Sequence, residues 1–155
     1  MKPADAERAL SLAEGVCVRF EGFRAKPYLC PAGVPTIGYG STRYPDGRAV
    51  TLTDPPITRA AARALLRYWL AEECLPQVRR LCPGATTAGQ ISALLDFTYN
   101  LGAGALARST LRKRVNAGAW GDVPAQLRRW VYGGGVVLNG LVDRREAEIA
   151  LLEIV

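Results

Sequence analysis

Histidine is missing from all 155 residues of the chain. Its absence removes hydrolases in which serine or cysteine depends on a histidine base, and zinc enzymes with histidine ligands. No apolar run approaches the length of a membrane span, so stable membrane insertion is not expected. The first residues, Met1 to Glu7, lack the apolar centre of a signal peptide, so any export segment is either unused or trimmed away. Zinc-finger spacing, RNP-like aromatic strands and glycine-rich phosphate loops are absent too, and nucleic acid is not an expected partner.

With 49% hydrophobic residues, the chain can bury one sizeable core and has little left for a second. A formal charge of +6 attracts polyanions, whether nucleic acid, anionic lipid or an acidic bacterial envelope. The arginines are spread along helical segments, however, and a solvated basic surface accounts for them. Cys74 and Cys82 would stand roughly 12 Å apart on a straight helix, too far for a disulfide unless Pro76 bends it. Two reduced, buried thiols are the other reading.

Apolar residues recur at a helical period at Ala9/Leu10, Leu12/Ala13, Val16/Cys17 and Phe20, predicting a helix from near Pro3 to Glu21. Cys17 and Glu21, four apart, share one of its faces. Gly22 can take the left-handed conformation that ends a helix. Pro27, Pro31, Gly33, Pro35, Gly38 and Gly40 then turn the chain too often for a helix to persist. Short strands are expected here, with Tyr44-Pro45-Asp46-Gly47-Arg48 as a hairpin turn and Cys30 and Thr36 on strands or turns. Thr58 caps the next helix, which Pro76 kinks or ends. Thr87 to Gln90 fits a capping box, opening a helix through Ile91, Leu94, Leu95, Thr98 and Tyr99. That helix is apolar on nearly all sides and is the expected buried centre. Asn100 to Gly104 breaks it. Ser109 caps a short helix through Leu111 and Val115, Asp122 opens another to Val131, and Gly133 to Gly135 forms a loop. A last helix is expected from Val142 to Ile154, completing an α+β chain that is mostly helical.

Glu21 lies between Phe20 and Phe23 at a helix end, where desolvation can keep a carboxylic proton on for general-acid work. Alone, it reads as a solvated glutamate. Its surroundings change that reading. Eight residues separate Glu21 from Cys30 and five separate Cys30 from Thr36, within a run ending Pro35-Thr36-Ile37-Gly38-Tyr39-Gly40. This spacing resembles the triad of the phage-type lysozymes, glycoside hydrolase family 24: Glu, eight residues, Asp, five residues, Thr. Cys30 stands where the family usually has aspartate, as in some of its members. Tyr99 to Gly102, Ser109 to Leu111 and Gly140 to Glu148 look like further family motifs, and the resemblance runs from about Val16 to Leu152.

The resemblance implies a single lysozyme-like domain over residues 1–155. A β-lobe of about 24–54, joined by a long helix to a helical lobe of about 58–155 that also includes the N-terminal helix, would flank a cleft with it. It implies a muramidase that hydrolyses β-1,4 bonds between N-acetylmuramic acid and N-acetylglucosamine without metal or cofactor. The missing histidine agrees, since it excludes Cys-His peptidases and zinc amidases among wall-cutting enzymes. By resemblance Glu21 protonates the leaving oxygen. Cys30, as thiolate or through a water, replaces the carboxylate, and Thr36 positions the attacking water. Arg24 or Lys26 would favour the thiolate. Thr42, Tyr99, Asn100 and Thr110 match positions that bind substrate, although core packing competes for Tyr99. Of Arg144 and Arg145, one reads as solvated, while the other would pair with Glu21 and place it. Such a pair opposes the acid's role unless burial outweighs it or substrate loosens it. Trp69, Trp120 and Trp130 are expected in the core rather than on sugar.

The expected partner is bacterial peptidoglycan, met by a monomer made in the host cytoplasm and acting in the periplasm. A lytic transglycosylase using Glu21 alone and a catalytically silent wall-binding module are the alternatives. Some exported relatives are held inactive by a disulfide on the catalytic cysteine. Cys17 is the candidate partner for Cys30 in such a gate, against its reading as a small core residue.

Overall fold

The computed structural model describes residues 3–155, with side chains from Asp5 onward; the expectation drawn from Met1 and Lys2 lies outside them. Helix α1 covers Pro3–Glu21, as its periodicity predicts, and ends at Gly22, where φ is 70°. The small residues Ala9, Ala13 and Cys17 are fully buried on the stripe that lies along α4 (Ala88–Leu101). Helix α4 is the centre of the core. Both halves of its capping box form between Thr87 and Gln90, and Ile91 to Thr98 is buried without interruption. Gly89 faces the carbonyl ends of the last helix so closely that a Cβ there would meet the Leu151 oxygen at 2.0 Å.

Between these helices the chain makes a small β-lobe. Strands β1 (Arg24–Leu29) and β2 (Pro35–Gly38) pair antiparallel, Arg24 against Gly38 and Tyr28 against Thr36, with an irregularity between the two pairs. Pro27, which has no N–H to give a ladder, lies inside that irregular stretch. The expected turn at Tyr44 to Arg48 is present, closed by the Tyr44 amide on the Arg48 carbonyl and a bridge between Arg43 and Ala49. The lobe's own core is only Ile37, Val50 and Leu65, and the last of these belongs to α2 (Arg59–Trp69).

Thr58 caps α2 through the Ala61 amide. Pro76 does not end the helical path: a π-turn at Leu70–Cys74 precedes it, and α3 (Leu75–Leu81) carries it in its first turn. A proline has no N–H for the carbonyl four residues back, and its ring crowds that carbonyl, so the helix widens just before it. Cys74 and Cys82 are free and buried, and burial pushes their thiols up to about 12 and about 11.

Four segments depart from the sequence expectations. The break at Gly102 is a corner, after which α5 (Ala103–Arg108) resumes at once; α6 (Thr110–Asn116) follows under its Ser109 cap. Helix α7 covers only Val123–Leu127 after a 3₁₀ turn at Trp120–Asp122, and Asp122 makes no cap. It stops early because the chain must turn so that Trp130 meets Phe97 edge-on, at 5.3 Å between ring centres. The expected glycine loop is a hairpin, β3 (Tyr132–Gly133) on β4 (Val136–Val137). Gly134 and Gly135 form its two-residue turn at φ 59° and 81°, as strand twist favours. Helix α8 runs over Asn139–Leu151, a turn earlier at its start than the reading from Val142. The tryptophans pack as expected: Trp69 donates to the Arg43 carbonyl, and Trp120 and Trp130 lie against the main core.

Candidate active site

Three helices converge on one buried guanidinium. Glu21 is the last residue of α1, and its Oε1 accepts from Arg144 Nη1 at 2.7 Å. The rest of the Arg144 fork clamps Asp96 of α4, Nε to Oδ2 and Nη2 to Oδ1, both at 2.8 Å. Bidentate pairing of this kind fixes orientation as well as charge. Cys17, one turn before Glu21, donates its thiol to Asp96 Oδ1 at 3.1 Å. Burial drives Asp96 towards its neutral form, but the Arg144 bonds win and hold it below the ordinary carboxylate range. Burial, reinforced by Asp96, keeps the Cys17 thiol far above its usual value.

The acid itself is accessible. Its side chain is 22% exposed, against 4% for Arg144 and none for Asp96. It faces a recess of about 280 Å³ lined also by Phe20, Asn100, Leu138, Leu141 and Arg144. A hollow of about 390 Å³ around Val78, Cys82 and Ile91 is larger but shares none of these residues. Glu21 Oε2 is approached from the β-lobe by Gly40, where a Cβ would stand 3.2 Å from that oxygen and 3.5 Å from the Tyr99 hydroxyl. Only a residue without a side chain lets the backbone pass this close. Tyr99 donates to the Tyr39 carbonyl at 2.7 Å and so ties α4 to the β-lobe beside the acid.

Cys30 sits just past β1, at the head of a tight turn in which its amide donates to the Val34 carbonyl and Gly33 returns a bond to its own. The thiol is drawn below its ordinary value, first by the Val34 amide. Partial burial opposes this, and the Ala32 amide and Thr36 hydroxyl assist. Backbone dipoles therefore do what Arg24 or Lys26 was expected to do; Arg24 stacks instead over the Tyr28 ring at 4.3 Å. Thr36 is buried on β2 and donates to the Val34 carbonyl at 2.8 Å. A hydroxyl has one proton, so while it is given to Val34 it cannot go to a thiolate at Cys30, and the hydroxyl must rotate to supply it.

The remaining sequence candidates divide. Neither arginine of the pair is solvated. Arg144 places Glu21, whereas fully buried Arg145 bonds Glu148 Oε1 at 2.7 Å and Asn100 Oδ1 at 2.8 Å and does not reach the acid. The solvated reading fails because α8 turns both side chains inward, where carboxylates from α1, α4 and α8 balance them. Asn100 lines the acid's recess, its amide oxygen held by Arg145. Thr42 and Thr110 are exposed and lie outside that recess. Thr110 borders a separate one of about 270 Å³ with Arg108, Gln126, Arg129 and Trp130. All four cysteines are free, and Cys17 is occupied by Asp96. Sequence reasoning missed Asp96 and Gly40. Asp96 did carry a signal, as the only charged residue in the apolar α4 segment.

The sequence profile of the phage lysozyme family matches residues 18–148. The SAR-endolysin of bacteriophage PS119 is 40% identical over 131 residues, covering 83% of this chain and 73% of that protein. The endolysin of Acyrthosiphon pisum secondary endosymbiont phage 1 is 36% identical over 140 residues, covering 87% and 90%. Among solved structures, the muramidase domain of SpmX from Asticaccaulis excentricus matches with a TM-score of 0.78. It is 28% identical, covering 92% of this chain and 95% of that one.

Proposed function

The chain belongs to the phage lysozyme family, and we propose that Glu21 is the general acid of its muramidase activity, with Cys30 and Thr36 serving the opposite side of the cleft. The protein is a peptidoglycan muramidase that cuts the β-1,4 bond between N-acetylmuramic acid and N-acetylglucosamine in cell-wall lysis. The observation that carries the assignment is the asymmetry of the Glu21 carboxyl. Arg144 occupies Oε1, while Oε2 lies towards Gly40 of the β-lobe and is not held by the arginine. The proton is carried on Oε2 and passes to the glycosidic oxygen as the bond from the anomeric carbon breaks. A water bonded to Thr36 attacks that carbon and gives its proton to the Cys30 thiolate. The products are a reducing sugar, a free hydroxyl and a neutral thiol, and the return of the proton from Cys30 to Glu21 through solvent resets the site. Asn100 holds the sugar at the acid's end, and Tyr99 fixes the gap between the lobes rather than gripping substrate. Thr42 and Thr110 contact the glycan farther along the cleft.

The enzyme works as a monomer, made in the host cytoplasm and acting on the periplasmic wall. Among the described residues no helix is long and apolar enough to cross a membrane. The test is digestion of purified peptidoglycan by wild type and Glu21→Gln, with mass spectrometry of the fragments. Reducing muramic ends from wild type and none from the variant are expected. Anhydro-muramic ends would make it a transglycosylase, binding without release would make it a wall-binding module, and an active variant would remove Glu21 from the mechanism.

A further inference from the structure

Behind the acid lies a second carboxyl pair that the reaction does not touch. Glu148 of α8 is fully buried; its Oε1 accepts from Arg145, and its Oε2 receives no donor from the protein. Asp96, the residue that clamps Arg144, is the neighbouring carboxylate that acts on Glu148. Two neighbouring carboxylates away from water resist ionising together. Arg144 holds Asp96 in its anionic form, whereas burial and Asp96 together push Glu148 well above the ordinary range. The proton therefore belongs to Glu148. With it in place, anionic Asp96 directly offsets the charge of Arg144.

We propose that Asp96 is a positioning residue for Glu21: it occupies two of the three nitrogens of Arg144 and limits that arginine's grip on the acid. This rests on Glu21 being the general acid. It answers the difficulty that a lone arginine beside a general acid would hold it as carboxylate. The groups facing the Asp96–Glu148 pair are Cys17 from α1, Cys74 from the π-turn, and Arg144 and Arg145 from α8, with Glu21 across Arg144 and Tyr99 beyond it. Burial keeps Cys17, Cys74 and Tyr99 protonated through the neutral range. The charge acting on Arg144 from behind is thus that of Asp96.

The test is the pH profile of the initial rate on purified peptidoglycan for wild type, Asp96→Asn and Glu148→Gln. In Asp96→Asn the charge of Arg144 falls undivided on Glu21, so the alkaline limb should move down by about one pH unit. Activity near neutrality then drops roughly tenfold while activity at low pH approaches wild type. Glu148→Gln replaces a neutral acid by a neutral amide that can still donate to Asp96, and should leave the limb in place. A uniform loss at every pH in Asp96→Asn, or an equal shift in both variants, would overturn the proposal. Should Asp96→Asn not fold, as circular dichroism would reveal, carbon-13 NMR of glutamate carboxyls in the wild type decides. Glu148 should stay neutral where ordinary carboxyls ionise, and its ionisation there sinks the idea. Failure of the acid assignment is read separately, as retained activity in Glu21→Gln.

Discussion

The two sides of the cleft hold their reactive groups by different means. Behind Glu21, the partners Arg144, Asp96 and Cys17 are all buried, and each is bonded to another member of the set. Around Cys30 the chain is at the surface, with Leu29 55% and Val34 42% exposed, and the thiol is governed by the amides of its own turn. Charges out of water fix a carboxyl strongly, but each needs its partner in place. Backbone dipoles cost no desolvated ion and stabilise any anion that occupies the turn. The amides of this turn favour a thiolate and would favour a carboxylate at position 30 alike. The acid's side has no such latitude.

The largest effect should come from breaking the buried side. Arg144→Met leaves Asp96 and Glu21 without their cation and should cost about 3–5 kcal/mol of stability, measured by urea unfolding, with lysis lost. Adding Asp96→Asn should recover part of the loss, because the orphaned charge is gone. A cost below about 1 kcal/mol would mean that the network behaves like a surface pair.

On the exposed side, Cys30→Ser should leave stability nearly unchanged and lower activity by about 10²-fold, since a hydroxyl is a poor base near neutrality. Cys30→Asp should retain much of the activity and extend it to lower pH. The thiol, although drawn below its ordinary value, still needs more alkaline conditions than a carboxyl to ionise. A serine variant as active as wild type would take Cys30 out of the chemistry.

Between the two sides stands Gly40, and Gly40→Ala sharpens the comparison. At φ 90° an alanine is strained, and its methyl would press on Glu21 Oε2 and the Tyr99 hydroxyl. A loss of about 1–2 kcal/mol is expected from the backbone alone. Activity should fall roughly tenfold or more because the acid is displaced by a fraction of an ångström. Unchanged turnover would show that the lobe yields at this point.

What the sequence revealed follows the same division. Helix α1, the capping box of α4 and the turn at Tyr44 to Arg48 were legible because local chemistry decides them: apolar period, a Thr/Gln pair, proline and glycine. Glu21, Cys30 and Thr36, the proposed reactive groups, could be picked out because they lie close together in the chain. Asp96, Glu148 and the inward turn of both arginines were not, since their meaning lies in contacts between α1, α4 and α8, distant in sequence. The glycine run at 133–135 was misjudged because composition alone does not separate a loop from a two-residue hairpin turn flanked by two-residue strands.

The smallest effect belongs to Asp54, which anchors the surface end of the β-lobe. Its carboxylate accepts from the Thr51 amide at 3.0 Å and hydroxyl at 2.8 Å, from the Tyr44 hydroxyl at 2.8 Å and from Arg48 at 3.1 Å. These bonds, led by the Thr51 amide, hold it below the ordinary carboxylate range in the folded protein. A group depressed in this way contributes stability that is present above its unfolded value, near 3.8, and is lost as pH falls through the folded one. Asp54→Asn should therefore lower Tm at neutral pH, by less than Arg144→Met does, and the difference from wild type should shrink on acidification below the ordinary carboxylate range. Peptidoglycan hydrolysis at room temperature should be unaffected, because the loop lies away from the acid and the Cys30 turn has its own amides. Thermal melts of both proteins at neutral and strongly acidic pH decide it. A difference that persists undiminished in acid would mean that Asp54 acts through shape and not through its charge, and the β-lobe would then be held at this end much as its small apolar core is held, by packing alone.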